Sequence, residues 1–133
     1  MPARAVPIRA VPARAVPAQA VRAVPAQAVR AVPDWLDLAD KASVLNDFET
    51  ELFALGMALK MAPGSTPLMA IQAEAMVRAA EGQVTLPVRK RLAAILERDP
   101  TQPRALFLSG LAAYQDGRKD LALRVWQQLL ERS

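Results

Sequence analysis

The sequence predicts an all-α protein, and three observations lead to that prediction. Hydrophobic residues make up 53% of the 133 residues, but only 5% are aromatic and many are alanine, which suits close helix packing. From residue 34 onward, apolar residues recur at helical spacing between proline and glycine stops. The helical segments form pairs, and the prolines that close the first two pairs, Pro63 and Pro100, are 37 residues apart. We therefore expect a helical repeat of about three helix pairs behind a disordered tail.

The first 33 residues form a tandem repeat. The unit Arg-Ala-Val-Pro occurs at 4–7, 9–12, 14–17, 22–25 and 30–33. Each proline lacks an amide donor and pushes the preceding valine towards extended geometry, so helix is blocked at short intervals. We predict that residues 1–33 are a disordered tail and that residues 34–133 are the folded domain.

The charge of the chain is divided unevenly between these two parts. The tail holds five arginines and no acid, whereas the other 100 residues hold 12 basic and 13 acidic side chains. A basic tail can contact nucleic acid or anionic lipid. A solvated segment is the interpretation we favour, and nucleic acid is not an expected partner.

The first predicted pair covers residues 34–63. Asp34 is the expected N-cap of a helix that runs from Trp35 to about Leu45. Asn46-Asp47 is a turn signal, and a second helix is expected over 48–61.

The second and third pairs cover residues 66–100 and 101–133. In the second pair, Thr66 is the expected cap of a helix running to Glu81, and Thr85 the cap of a helix that ends before Pro100. In the third pair, helices are expected over 103–116 and 118–132, separated by Gly117. The last helix has one apolar face, made of Leu121, Ala122, Val125, Trp126, Leu129 and Leu130.

The residue types that are missing limit the chemistry. The chain has no cysteine and no histidine, which removes the usual thiolate and imidazole ligands, two nucleophiles and the commonest general base. We therefore predict no catalytic residue, no metal, no cofactor and no enzymatic activity. No run of about 18 apolar residues is present, and the N-terminus lacks a signal-peptide core, so the sequence as written indicates the cytoplasm.

The last pair resembles the tetratricopeptide (TPR) repeat, a unit of about 34 residues. Asp99-Pro100 falls at the junction between repeats, Gly110 at the small position where helices touch, and Trp126 at the large aromatic position. In the first pair the corresponding residues are Trp35, Leu38, Ala39, Phe48, Ala58 and Pro63. The resemblance implies a right-handed superhelix, with both tryptophans in the core.

Within that class, residues 34–133 resemble the C-terminal domain of the CcmI/CycH-type family of c-type cytochrome biogenesis proteins. The runs that carry the resemblance are Ala62-Pro63-Gly64, 73–77, 82–85, Asp99-Pro100, 104–112 and 126–130. The resemblance implies a chaperone that binds the C-terminal helix of apocytochrome c for the haem-ligation machinery, on the periplasmic side of the inner membrane. The membrane helices of that family have no counterpart here, so a cytoplasmic location stays open. The alternative function is a generic TPR scaffold or adaptor, or a truncated gene remnant without specific activity.

A concave groove is the expected binding site, because stacked helix pairs curve and the first helix of each pair lines the inner side. The groove is expected to be mostly apolar and to suit an amphipathic helix. Its predicted residues are Leu36, Asp40, Val77, Glu81, Arg104, Phe107, Leu111, Tyr114 and Gln115, with Ser43, Val44, Ala73 and Ala80 beside them.

Overall fold

The computed structural model describes residues 31–132, and that part of the chain contains six helices and no strand. The prediction of an all-α protein is confirmed for these residues, whereas the predicted disorder of residues 1–30 falls outside them. The helices are α1 (Val32–Val44), α2 (Phe48–Met61), α3 (Thr66–Ala79), α4 (Leu86–Arg98), α5 (Pro103–Gln115) and α6 (Lys119–Arg132).

The start of α1 differs from the prediction. The helix begins at Val32, so the last two residues of the final Arg-Ala-Val-Pro unit are helical. Pro33 is tolerated because the N–H groups in the first turn of a helix have no partner within the helix, so the missing N–H of proline costs no hydrogen bond there. Asp34 is not the N-cap: it lies inside the first turn, and its carboxylate accepts a hydrogen bond from the Ala31 N–H at 3.1 Å.

The ends of α3 also differ from the prediction. Ser65, not Thr66, is the N-cap, because its hydroxyl accepts the Leu68 N–H at 3.2 Å. The Thr66 hydroxyl instead donates to the carboxylate of Asp99 at 3.3 Å, which links the start of α3 to the end of α4. The helix ends at Ala79 rather than Glu81, because Glu81 has a φ of 57° and the left-handed region cannot continue an α-helix.

The chain divides into two compact units, Met1–Pro63 and Gly64–Ser133. In the described part of the first unit, α1 packs against α2. Trp35 of α1 is buried, and its ring meets the ring of Phe53 edge to face, with 6.0 Å between centroids. The prediction that Trp35 is a core residue is confirmed. Small residues line the rest of this contact: Ala39, Ala42, Ala54 and Ala58 are buried.

In the second unit, α3 packs against both α4 and α5, α4 packs against α5, and α5 packs against α6. Alanines of α3 and α5 let these helices approach closely, and α4 supplies the larger side chains of the core. The main members of this core are Ala70, Ala73, Val77, Val88, Leu92, Ile95, Ala105 and Leu108. By contrast, Ala122 is the one fully buried residue that α6 contributes within its described length.

Candidate protein-binding surface

An aromatic cluster joins α5 to α6. Phe107 and Tyr114 are seven residues apart on α5, so they lie two turns apart on the same side of the helix. The ring of Trp126 on α6 stacks on both of them, with centroids 5.8 Å from Phe107 and 6.1 Å from Tyr114 and interplanar angles of 25° and 28°. We refer to Phe107, Tyr114 and Trp126 as the aromatic cluster.

Gly110 is the residue that makes this arrangement possible. It lies between Phe107 and Tyr114 along α5, and the indole of Trp126 covers it. A Cβ atom at this position would lie 2.9 Å from Cδ1 and Cε2 of Trp126 and nearer still to Nε1. The indole is held further by a hydrogen bond, since Nε1–H donates to the carbonyl oxygen of Phe107 at 3.2 Å. The predicted contact at Gly110 is therefore confirmed.

Trp126 itself is less buried than predicted. The sequence placed it in the core, but the structure leaves it half-buried at the edge of α6. The reason is that its indole packs on α5 through one side, over Gly110 and the rings of Phe107 and Tyr114. Trp126 is therefore both a packing residue and part of an accessible surface.

The aromatic cluster continues into an exposed apolar stripe on α6. Phe107 and Tyr114 are 48% and 47% exposed, and Leu123 and Leu130 are 53% and 75% exposed. Leu123, Trp126 and Leu130 are spaced three and four residues apart, which places them on one side of α6. We call these five residues the α5–α6 surface. An aromatic side chain carries about 150–250 Å², so the two half-exposed rings alone leave roughly 200 Å² uncovered. Exposed apolar groups that neighbour one another in this way are a feature of interaction sites.

Charged groups around this surface differ in their pairing. Arg104 on α5 is paired with Glu74, with 2.9 Å between Nε and Oε1. Lys119 begins the apolar stripe of α6, four residues before Leu123, and its ammonium lies 5.8 Å from the centroid of the Tyr114 ring. Within residues 31–132, no carboxylate lies within 4.0 Å of that ammonium.

Several predicted groove residues of the second unit are buried in the core or hydrogen-bonded to other parts of the chain. Val77 is only 5% exposed and Ala73 is fully buried, so neither can contact a partner, and their prediction as groove residues is wrong. Both face inward because α3 packs against two other helices. Gln115 is engaged at both ends: its Oε1 accepts the Val84 N–H at 3.0 Å, and its Nε2 donates to the carbonyl of Gly82 at 2.8 Å.

The remaining groove predictions fall in three places. Leu111 is half-buried and packs against the core of the second unit. Glu81 is exposed in the turn after α3. Leu36 and Asp40 lie on α1 in the first unit, half-buried and exposed respectively. A single groove made of the remaining residues stays a prediction, and Phe107, Leu111 and Tyr114 are the members that lie on one side of the same helix, α5.

The sequence analysis missed a polar contact that holds the turn between α3 and α4. Arg89 donates to both oxygens of Asp116, at 2.7 and 3.0 Å, and through Nε to the carbonyl of Val84 at 2.9 Å. Together with Gln115, these residues form what we call the loop clamp. The hydrogen bonds from Arg89 hold the pKa of Asp116 below its usual value, and the same pair raises the pKa of Arg89.

Leu123 was also not predicted as a surface residue, although the spacing of residues in the sequence indicates it. The prediction assigned one apolar face to α6 and left Leu123 out, because it lies on the other side of Trp126. The spacing 119, 123, 126, 130 is a heptad-like pattern of alternating four and three residues, which is typical of a helix with a second packing side.

Over residues 31–132 these features define an all-helical fold whose second unit exposes an aromatic and aliphatic surface. In the part of the chain that the structure describes, no helix has both the length and the apolarity needed to cross a bilayer. No protein-family model, curated protein or solved structure matches this chain.

Proposed function

We propose that this protein is a helical-repeat binding module, not an enzyme, and that its α5–α6 surface binds an amphipathic α-helix of a partner protein. The observation that carries the proposal is a pair of exposed apolar rows on neighbouring helices. One row is Phe107 and Tyr114 on α5, and the other is Leu123 and Leu130 on α6.

The dimensions of the two rows suit a docked helix. Seven residues of α-helix span about 10.5 Å, so each row covers two helical turns. An amphipathic helix presents apolar side chains at i, i+3 or i+4, and i+7 over the same length. Trp126 lies between the rows and supplies a large aromatic contact near the middle, where the residues that contribute most to binding are usually found.

The repeat character of the fold rests on the packing within the second unit. The helix α3 contacts its own partner α4 and also α5, the first helix of the following pair. Stacked repeats contact their neighbours in this way. The small residues Gly110 and Ala122 are buried at the contact between α5 and α6, at the two positions where a TPR unit has small residues. These contacts support a TPR-like arrangement.

The resemblance of residues 34–133 to the CcmI/CycH-type family supports a particular partner. Under this proposal the bound helix is the C-terminal helix of an apocytochrome c, presented to the haem-ligation machinery on the periplasmic side of the inner membrane. On α5, Phe107 and Tyr114 supply the apolar contacts, with the half-buried Leu111 between them along the helix, and Arg104 lies at the rim with Glu74.

Isothermal titration of the full chain tests this function. A peptide from the C-terminal helix of an apocytochrome c should bind, and a scrambled peptide of the same composition should not. Phe107→Ala or Tyr114→Ala should weaken binding by about 2 kcal/mol, or about thirtyfold. Leu86→Ala is the matched control, because Leu86 is an exposed apolar residue on α4 that is not one of the five residues of the α5–α6 surface. Equal binding of both peptides would contradict the apocytochrome assignment.

A further inference from the structure

Lys119 is the one charged residue on the apolar stripe of α6. The spacing 119, 123, 126, 130 puts it in line with Leu123, Trp126 and Leu130, at the end next to Tyr114. Asp120 and Arg124 are one residue away from stripe positions and therefore point about 100° to one side of them. Of the charged groups on α6, the Lys119 ammonium is therefore the one that a helix covering the stripe contacts most directly.

Lys119 differs from two other basic residues of the second unit, Arg89 and Arg104, in its ion pairing. Arg89 and Arg104 each have a carboxylate partner, Asp116 and Glu74, at 2.7 and 2.9 Å. Lys119 has none within residues 31–132 and instead lies over the Tyr114 ring. Such a cation–π contact is a weak interaction at an exposed site, and it leaves the ammonium able to donate hydrogen bonds to a carboxylate.

Docking of a helix on the α5–α6 surface removes water from Lys119. An ammonium that loses water without gaining an acceptor is penalised, and a carboxylate placed against it offsets that loss. A second cation at the same place would add repulsion to the lost hydration. The contribution of Lys119 to binding therefore depends on the charge of the facing residue.

We propose, on the basis of the function proposed above, that Lys119 selects a partner helix with a carboxylate at one end of its apolar stripe. Lys119 lies one turn before Leu123 on α6. On the partner helix, one apolar residue packs between Tyr114 and Leu123, and the carboxylate should lie one turn from that residue, on the side towards Lys119. The partner is thus an amphipathic helix whose apolar positions are followed, at three or four residues, by Asp or Glu.

The test uses the full chain and a set of synthetic helices with the same apolar stripe. The residue one turn beyond the stripe is Glu, Gln or Lys, and each peptide is made with that residue at either end, because a helix can lie in both directions. Isothermal titration at low salt should give about fivefold tighter binding for Glu than for Gln, in one direction, and weaker binding for Lys. The preference should shrink at high salt.

Two charge-reversal variants make the test specific. Lys119→Glu should invert the order of the three peptides, and it should fold, because an acid in the first turn of a helix is favourable. Arg124→Glu applies the same change of charge on the same helix but off the stripe, and it should keep the original order. Circular dichroism of both variants checks that α6 remains folded.

The outcomes separate this inference from the proposed function. Equal binding of the Glu, Gln and Lys peptides, or the same inversion in both variants, would overturn selection by Lys119 and leave helix binding intact. Failure of every peptide to bind would overturn both. An order of Glu, Gln, Lys that only Lys119→Glu inverts supports the inference.

Discussion

Gly110→Ala tests the packing on which the α5–α6 surface depends. In the wild-type protein the indole of Trp126 lies directly on Gly110, and an added Cβ would meet three of its ring atoms at less than 3.0 Å. The indole is also held by its hydrogen bond to the carbonyl of Phe107. A methyl group at position 110 must therefore displace Trp126, break that hydrogen bond or push α6 away from α5.

Opposing effects set the magnitude of the change. Overpacking of this kind costs about 1–3 kcal/mol, and a lost hydrogen bond adds about 1 kcal/mol. Replacing glycine by alanine inside a helix contributes about 1 kcal/mol in the other direction. The net expectation for Gly110→Ala is a loss of about 2 kcal/mol in the free energy of unfolding, although alanine is the better helix former.

The double variant gives the sharper result, because the sign of the effect reverses. In a Trp126→Ala background the indole is gone, so Gly110→Ala meets no ring and should stabilise the protein by about 1 kcal/mol. Urea titration followed by circular dichroism measures the four free energies of this cycle. If Gly110→Ala destabilises both backgrounds equally, the close contact between Gly110 and Trp126 is refuted.

Three further predictions concern other parts of the molecule. Trp126→Ala alone should lower the free energy of unfolding, measured by urea titration, by about 2–3 kcal/mol. This is less than the roughly 3–5 kcal/mol expected for a fully buried tryptophan, because the side chain is half-buried. A loss below about 1 kcal/mol would contradict the stacking of Trp126 on α5. Ser65→Ala should cost about 1 kcal/mol through loss of the α3 cap, whereas an unchanged urea midpoint would show that the cap contributes nothing. The pKa of Asp116 is lowered in the folded protein, so its stabilising effect is present above an ordinary carboxyl pKa of about 4 and is lost as the pH falls through the lowered value. The difference in urea midpoint between wild type and Asp116→Asn should therefore be constant from pH 7 to 5 and shrink below about pH 4. A difference that does not shrink as the pH falls below 4 would contradict this assignment.

The existence of the helices was predictable because proline, glycine and cap residues mark their ends. The bounds of α2, Phe48–Met61, match the prediction. The starts of α1 and α3 were harder to predict from the sequence, because several neighbouring residues can serve as N-caps. Ser65 and Thr66 both carry a hydroxyl, and only the backbone conformation decides that Ser65 receives the Leu68 N–H.

The candidate surface was predictable only in part. Phe107 and Tyr114 were predicted as accessible residues, and their spacing on α5 is visible in the sequence. Val77 was misplaced because its burial depends on how α3 packs against two other helices, which spacing along one helix does not contain. The hydrogen bonds of Gln115 were not predictable for a related reason: the groups it binds, at Gly82 and Val84, are more than 30 residues away in sequence.

The chain has two tryptophans, so a two-dimensional nitrogen–proton spectrum of the full chain contains two indole N–H signals. Titration with an apocytochrome c C-terminal helix peptide is the most direct test of binding at the α5–α6 surface. The indole signal of Trp126 should shift with increasing peptide, because a docked helix covers its ring, while the signal of Trp35, buried against Phe53 in the first unit, should stay in place. A shift of the Trp35 signal alone, or no shift of either signal at saturating peptide, would contradict binding at this surface.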